Sequence, residues 1–363
     1  MVKQVMRTAA RLLCFTAIFF AIWFPVERII KYKWDVREHF YDRYRCFEAE
    51  PEGSIDILYM GTSRINGGIN PAVVFNEIGA TGYNFGNTST TSFAMYYELR
   101  YALKHHKPKY LVMELSGIHL ARTPDATKGI INASYEKSIY NMPDKKLFFE
   151  MLWVNQFEFG QSDALRYIFP LIEYHDRWKK VTLKDFSADP YHFEGYEEFL
   201  KGTYMRGDGT NFSDQPLFDP ELKPVEAPET NIRYFDKIVA LCKENDIEII
   251  VIVPPYLMVH ESYYQITKEY CEKNNLPLLY FPTLESIAEF GIDTRTDYYN
   301  VGHLNTLGQR KFSERLAQYM KENFEFEDHR EDPAYAHWHQ AYAEYYEAYG
   351  QHLGAKLPEA GAN

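Results

Sequence analysis

The stretch Asn231–Pro255 reads NIRYFDKIVALCKENDIEIIVIVPP. Its first half sets Ile232, Phe235, Ile238, Val239 and Cys242 at helical spacing, the apolar stripe of an amphipathic helix expected over 231–245. Its second half, Ile247–Val253, is apolar at every position but Glu248 and is closed by Pro254-Pro255. Such a run predicts a strand covered on both faces, because a half-exposed strand would alternate.

The same rhythm extends in both directions. Ile55–Met60 (IDILYM), Tyr83–Phe85 and Tyr110–Leu115 (YLVMEL) predict three earlier strands, and Leu278–Phe281 predicts a fifth. Between them, Asn70-Pro71 supplies a cap and a first-turn proline for a helix to about Ile78. Further helices are expected over 92–105, over 262–274, and from a cap at Asn305 or Thr306 to about Asn323. Strands alternating with helices predict an α/β fold with a doubly wound, flavodoxin-like parallel five-stranded sheet, whose ligands lie beyond the carboxyl ends of the strands.

Residues 119–230 interrupt this alternation, being aromatic-rich and partly helical, and are expected to form an inserted, mostly helical lid with irregular loop from about 185. The α/β body then spans 50–323. Residues 324–363 read as a C-terminal helix, with Trp338, Tyr342, Tyr345 and Tyr349 at helical spacings, followed by a tail.

Residues 1–33 are expected to be a signal-anchor. Thr8–Val26 (TAARLLCFTAIFFAIWFPV) carries one charge, Arg11, and at 1.5 Å per residue spans roughly 28 Å, close to a hydrocarbon core of about 30 Å. Lys3, Arg7 and Arg11 precede it and no small-x-small cleavage pattern follows, so a single pass with the bulk of the chain extracytoplasmic is expected. Apolar residues at 46% and charged residues at 25% exclude a disordered or multi-span chain. A formal charge of −12 excludes a nucleic-acid partner bound through phosphates. The four cysteines are too scattered for a disulfide framework or structural zinc site, and no cofactor or metal is implied. The 30 tyrosines and 25 phenylalanines suit either a core or a sugar-binding groove.

Two segments carry candidate chemistry. The first strand runs into Gly61-Thr62-Ser63-Arg64, where a serine stands on the ligand-binding rim; position 65 is Ile, so this is no GxSxG elbow. Far downstream, Asp297-Tyr-Tyr-Asn300-Val-Gly-His303-Leu-Asn305-Thr-Leu-Gly308 leads into the last helix, placing His303 on the same rim. A serine needs such a base to attack a carbonyl at neutral pH.

With Tyr83-Asn84-Phe85-Gly86-Asn87, these segments resemble the SGNH (GDSL-like) hydrolase superfamily. The likeness is closer to its membrane-anchored branch, which includes the D-alanyl transfer protein of teichoic acid operons and alginate-type O-acetyltransferases. It covers roughly residues 50–120 and 230–322. The resemblance implies Ser63 as nucleophile, His303 as base, and Gly86 with the neighbouring Asn87 at the oxyanion. Two departures stand out. The family acid three residues before the histidine is here Asn300, and the third block ends in Glu114-Leu-Ser116-Gly117 without its usual Asn. Spacing favours Asn300 as the group that orients the ring; charge favours Asp297. Asn87 or Ser116 is expected to supply the missing donor. Arg64, Trp153, Trp178 and His175 are candidate substrate contacts, the last two within a His175-Asp176-Arg177-Trp178 segment.

The function expected is an extracytoplasmic serine esterase or O-acyltransferase acting on acyl groups of a cell-envelope or exported polysaccharide. The alternative is a catalytically weak or inactive SGNH-like accessory protein that binds glycan or a membrane-bound acyltransferase.

Overall fold

A computed structural model describes residues 2–30, 39–118, 138–139, 141–160, 164–169, 171–186, 198–207, 224–257 and 260–350. The chain divides into two compact units, one of residues 1–39 and 149–193, the other of 40–148 and 194–363. Of the insert expected over 119–230, all of 119–137, 187–197 and 208–223 lie outside the described residues.

In the first unit, helix α1 (Val2–Ile30) is long and apolar enough to cross a membrane, with mean hydropathy 1.9 over its most apolar window and no buried residue. Helices α6 (Lys145–Phe157, most of which lies in this unit), α7 (Ala164–Ile168) and α8 (Leu171–Tyr174) follow, then a 3-10 turn over His175–Lys180. Arg177 in that turn is buried, paired with Asp185, and donates to the carbonyls of Ile29 and Ile30 at 2.9 and 3.1 Å. It thereby satisfies two of the orphan carbonyls at the end of α1. That gives the His175–Trp178 segment a local role.

The second unit opens on α2 (His39–Ala49), which precedes the span 50–323 expected for the α/β body. Phe47 of α2 is fully buried, its ring 5.0 Å from Tyr83 and 4.7 Å from Phe85. Then come β1 (Ile57–Met60), α3 (Ser63–Asn66), α4 (Pro71–Ile78), β2 (Gly82–Asn84), α5 (Ser92–Ala102) and β3 (Tyr110–Met113). After the insert follow α9 (Glu229–Glu244), β4 (Glu248–Val253), α10 (Glu261–Asn274), β5 (Leu278–Tyr280), α11 (Leu284–Glu289) and the hairpin β6 (Tyr298–Asn300) and β7 (His303–Leu304). Helices α12 (Thr306–Asn323) and α13 (Ala336–Tyr349) complete the unit.

The five strands β1–β5 form one parallel sheet in the order β2-β1-β3-β4-β5, the doubly wound arrangement expected. One face packs its apolar side chains on α4, α11 and α12, where Val74, Ile287, Phe312 and Leu316 are buried. The other face lies under α5 and α9, whose Phe93 and Tyr234 rings meet edge to face at 5.1 Å. The α4 ends obey local chemistry: Asn70 Oδ1 accepts the Ala72 N–H at 3.0 Å, and Gly79 closes the helix at φ 77°. A Cβ on Gly79 would fall 1.9 Å from Asp328 Oδ1, so only glycine fits. Helix α13 docks with Trp338 and Tyr345 fully buried.

Phe312 is fully buried between Phe281 and Phe290, with ring centroids at 5.5 and 5.7 Å. Phe312→Ala is expected to cost about 3–5 kcal/mol, read as a lowered urea midpoint. A loss under about 1 kcal/mol would mean that this ring is not in the core.

Candidate active site

Strand β1 ends at Met60, and the next three residues turn sharply into α3. Gly61 is required by crowding, since a Cβ there would meet Ile65 Cγ1 at 2.5 Å and Glu114 Cβ at 2.8 Å. Thr62 fixes the turn. Its N–H and its hydroxyl both donate to Glu114 Oε2, at 2.9 and 2.6 Å. Ser63 then stands at the start of α3 on the carboxyl-end rim of the sheet.

On the opposite side of the rim, the β6–β7 hairpin pairs Asn300 directly with His303. The His303 Nδ1–H donates to Asn300 Oδ1 at 2.8 Å, and the Gly302 N–H donates to the same oxygen at 3.0 Å. Two donors converging on Oδ1 identify it as the amide oxygen and leave the Nε2 lone pair free. The Ser63 hydroxyl lies 2.6 Å from His303 Nε2, across 240 residues of sequence. Ser63, His303 and Asn300 thus form a continuous proton-relay geometry.

Asp297 is not part of it. Its fully buried carboxylate accepts the Asp293 N–H at 2.7 Å and the Thr296 hydroxyl at 2.8 Å, and pairs with Lys311 Nζ at 2.7 Å. It joins the hairpin to α12 and leaves the imidazole without a carboxylate. Gly86 also departs from its expected role. Its N–H donates to Asn84 Oδ1 at 2.8 Å, so it is not free to meet an oxyanion. Asn87 differs: its N–H is bound to the Gly61 carbonyl at 2.9 Å, but its buried Nδ2 has no partner. An unpartnered buried donor beside the Ser63 turn suits an oxyanion. Ser116 cannot serve, because its hydroxyl donates to Glu114 Oε1 and accepts Arg64 Nη1 at 2.9 Å.

Arg64 is held in the wall of the site. Besides Ser116, it pairs with Glu114 Oε1 at 3.5 Å and lies 3.6 Å from the Tyr256 ring centroid. Tyr263 Oη lies 3.2 Å from Ser116 Oγ. This buried network of Thr62, Arg64, Glu114, Ser116, Tyr256 and Tyr263 leaves no pattern in the sequence, where Glu114 marks only the absence of the usual Asn. An acidic residue at the end of an apolar strand was the signal, since such a carboxylate must find partners. Arg206, which also borders the site, sits in an irregular segment with no periodic signal. Trp153, Trp178 and His175 belong to the first unit, not to the one carrying Ser63. All three are exposed; His175 Nδ1 bonds the Ile172 carbonyl at 2.8 Å.

Burial, with Arg206 and Arg64 adding to it, holds the His303 pKa down at about 3. A neutral ring across the working range is available as a base, but the imidazolium that forms on proton transfer has no counter-charge.

No protein-family model and no curated protein sequence matches the chain. Solved structures that resemble it include two. One is a protein named as lipolytic, of the G-D-S-L family, from Desulfitobacterium hafniense DCB-2, at 12% identity and a TM-score of 0.34, covering 72% of this chain and 97% of that one. The other is a protein named as an acylhydrolase from Bacteroides fragilis NCTC 9343, at 14% identity and a TM-score of 0.35, covering 77% and 95%.

Since His303 must be neutral to accept a proton, its low pKa displaces the acid limb of reactivity downward. The rate at which Ser63 reacts with a fluorophosphonate is expected to show no inflection between about pH 5 and 8, where an unshifted histidine titrates. Asn300→Asp, which sets a carboxylate against Nδ1–H, is expected to raise both the rate and the pKa, moving the limb up into that range. An inflection near 6.5 in the native chain would contradict the assigned environment. The unfolded chain binds this proton more tightly, so folding stability also falls as pH drops from about 6.5 toward 3.

Proposed function

We propose that the chain is a membrane-tethered serine esterase or O-acyltransferase acting on acyl groups of a cell-envelope or exported polysaccharide. The observation that carries the chemistry is the 2.6 Å contact between Ser63 Oγ and His303 Nε2.

Ser63 Oγ attacks the acyl carbonyl while its proton passes to His303 Nε2. The carbonyl oxygen becomes an oxyanion held by the Ser63 N–H and Asn87 Nδ2–H. The C–O bond to the leaving alcohol breaks, and the alcohol takes the proton from Nε2. The acyl group now rides on Ser63. A second hydroxyl, from water or a sugar, attacks it, gives its proton to Nε2, and releases Ser63 as that proton returns to Oγ. Water makes the chain an esterase; a sugar hydroxyl makes it a transferase. Asn300 keeps the ring in the Nδ1–H tautomer throughout.

Helix α1 supports a membrane location, with the catalytic unit outside the cytoplasm. A second reading is favoured by one observation: Asn300 orients His303 without charge. In a serine triad, Asp→Asn costs about 10⁴ in turnover. On that reading the chain is a catalytically weak or inactive accessory protein that binds glycan or a membrane-bound acyltransferase.

The test is labelling of the full chain with a fluorophosphonate. A label that Ser63→Ala abolishes and His303→Ala slows by more than about 100-fold supports the enzyme. A folded chain that takes no label, or takes it elsewhere than Ser63, supports the accessory protein.

A further inference from the structure

The site holds two guanidinium groups and one carboxylate. Arg64 is matched by Glu114. Arg206 is not: among the described residues its guanidinium makes no ion pair, and its buried Nε has no hydrogen-bond partner. Its neighbours are the faces of Tyr204 and Tyr299, with ring centroids 5.4 and 5.9 Å away. Its backbone is fixed to the segment that carries His303, because the Arg206 carbonyl accepts the Thr306 N–H and hydroxyl at 2.9 and 2.7 Å. Its side chain reaches the Ser63 turn. A Cβ on Gly67 would stand 2.7 Å from Arg206 Nε and 3.3 Å from the Ser63 carbonyl oxygen, so glycine at 67 makes the room. A half-buried cation without a counter-ion among the described residues, in a chain of net charge −12, is costly unless something anionic meets it.

We infer that Arg206 forms, beside Ser63, a binding position for an anionic group carried by the ester substrate, a carboxylate or a phosphate. The inference rests on the serine-acyl reading above and narrows its substrate class. It also supplies what the His303 environment lacks. An anion on Arg206 offsets one of the two positive charges facing the ring, so a charged substrate raises the basicity of the histidine that must activate Ser63.

Calorimetric titration of the full chain in detergent with inorganic phosphate and with succinate tests this and separates the two chemistries. Binding of either anion, weakened about tenfold or more in Arg206→Gln and restored in Arg206→Lys, supports the site. The bound anion is also expected to shift the acid limb of fluorophosphonate reaction upward, which a merely structural Arg206 would not cause. Absence of binding by both anions in the native chain, or equal binding by Arg206→Gln, overturns it. A chain that takes the Ser63 label but binds no anion defeats only this inference. One that binds anion through Arg206 but takes no label defeats only the acyl-transfer reading.

A separate observation concerns the first unit. Trp153, Phe157, Trp178, Leu183 and Phe186 are each more than 60% exposed. The turn bearing Trp178 is tied by Arg177 to the carbonyls that end α1, and Trp23 of α1 meets Phe169 at 5.4 Å. Helix α1, at roughly 43 Å, outruns a hydrocarbon core of about 30 Å, so its last turns reach the headgroup level. Lys179 and Lys180 follow Trp178, the pairing of aromatic and cation found at such interfaces. Resting on the membrane-tethered reading above, we infer that Trp153, Phe157, Trp178, Leu183 and Phe186 lie against the same bilayer that holds α1, at the headgroup boundary and not on a sugar.

The test is tryptophan fluorescence of the full chain in nanodiscs containing brominated phospholipid. Trp153→Phe and Trp178→Phe are each expected to remove a share of the lipid-quenched intensity. If the intensity lost is instead the share quenched by aqueous acrylamide, or is quenched by neither, the surface faces water or another protein and the inference fails.

Discussion

Between His303 Nδ1 and Asn300 Oδ1 there are 2.8 Å and one proton, with no negative charge on either side. That hydrogen bond selects the tautomer and aims Nε2 at Ser63, while burial, with Arg206 and Arg64, keeps the ring a neutral and weak base. The other features of the site follow from it. The imidazolium formed during attack has two arginines for neighbours and no carboxylate, because the nearby Asp297 is committed to Lys311. On the proposed acyl chemistry the balancing charge comes with the substrate, and Arg206 is the group we infer to receive it.

The strand order builds this arrangement from distant pieces. With β1 between β2 and β3, its carboxyl end delivers Ser63 to the rim, and β3 beside it delivers Glu114, which grips both donors of Thr62. The hairpin after α11 delivers His303 from the other side. Neither the Thr62–Glu114 nor the Ser63–His303 contact is local in sequence; each depends on the strand order that brings those ends together.

Legibility in the sequence followed burial. The strands of the sheet and the helices α4, α9 and α12 were readable because continuous apolar runs and capped amphipathic stripes leave a periodic trace. Ser63 and His303 were readable because strand ends and helix entries are where such a sheet presents side chains. The hairpin was not, since strands of three and two residues carry no period and Val301-Gly302 is a weak turn signal. Gly86 was misassigned for a related reason: whether an N–H is free depends on the Asn84 side chain, and backbone accounting of that kind needs coordinates. Glu114 and Arg206 were missed because a polar residue announces its need for a partner but not which partner.

The central claim is that Ser63 carries the acyl group. Incubation of the full chain with an activated acetyl ester, quenching in acid and peptide mass spectrometry reads this directly. The account predicts an acetyl adduct on the peptide containing Ser63, lost in His303→Ala and more abundant in Asn300→Asp. An adduct confined to other residues, or none in a folded chain, would contradict it.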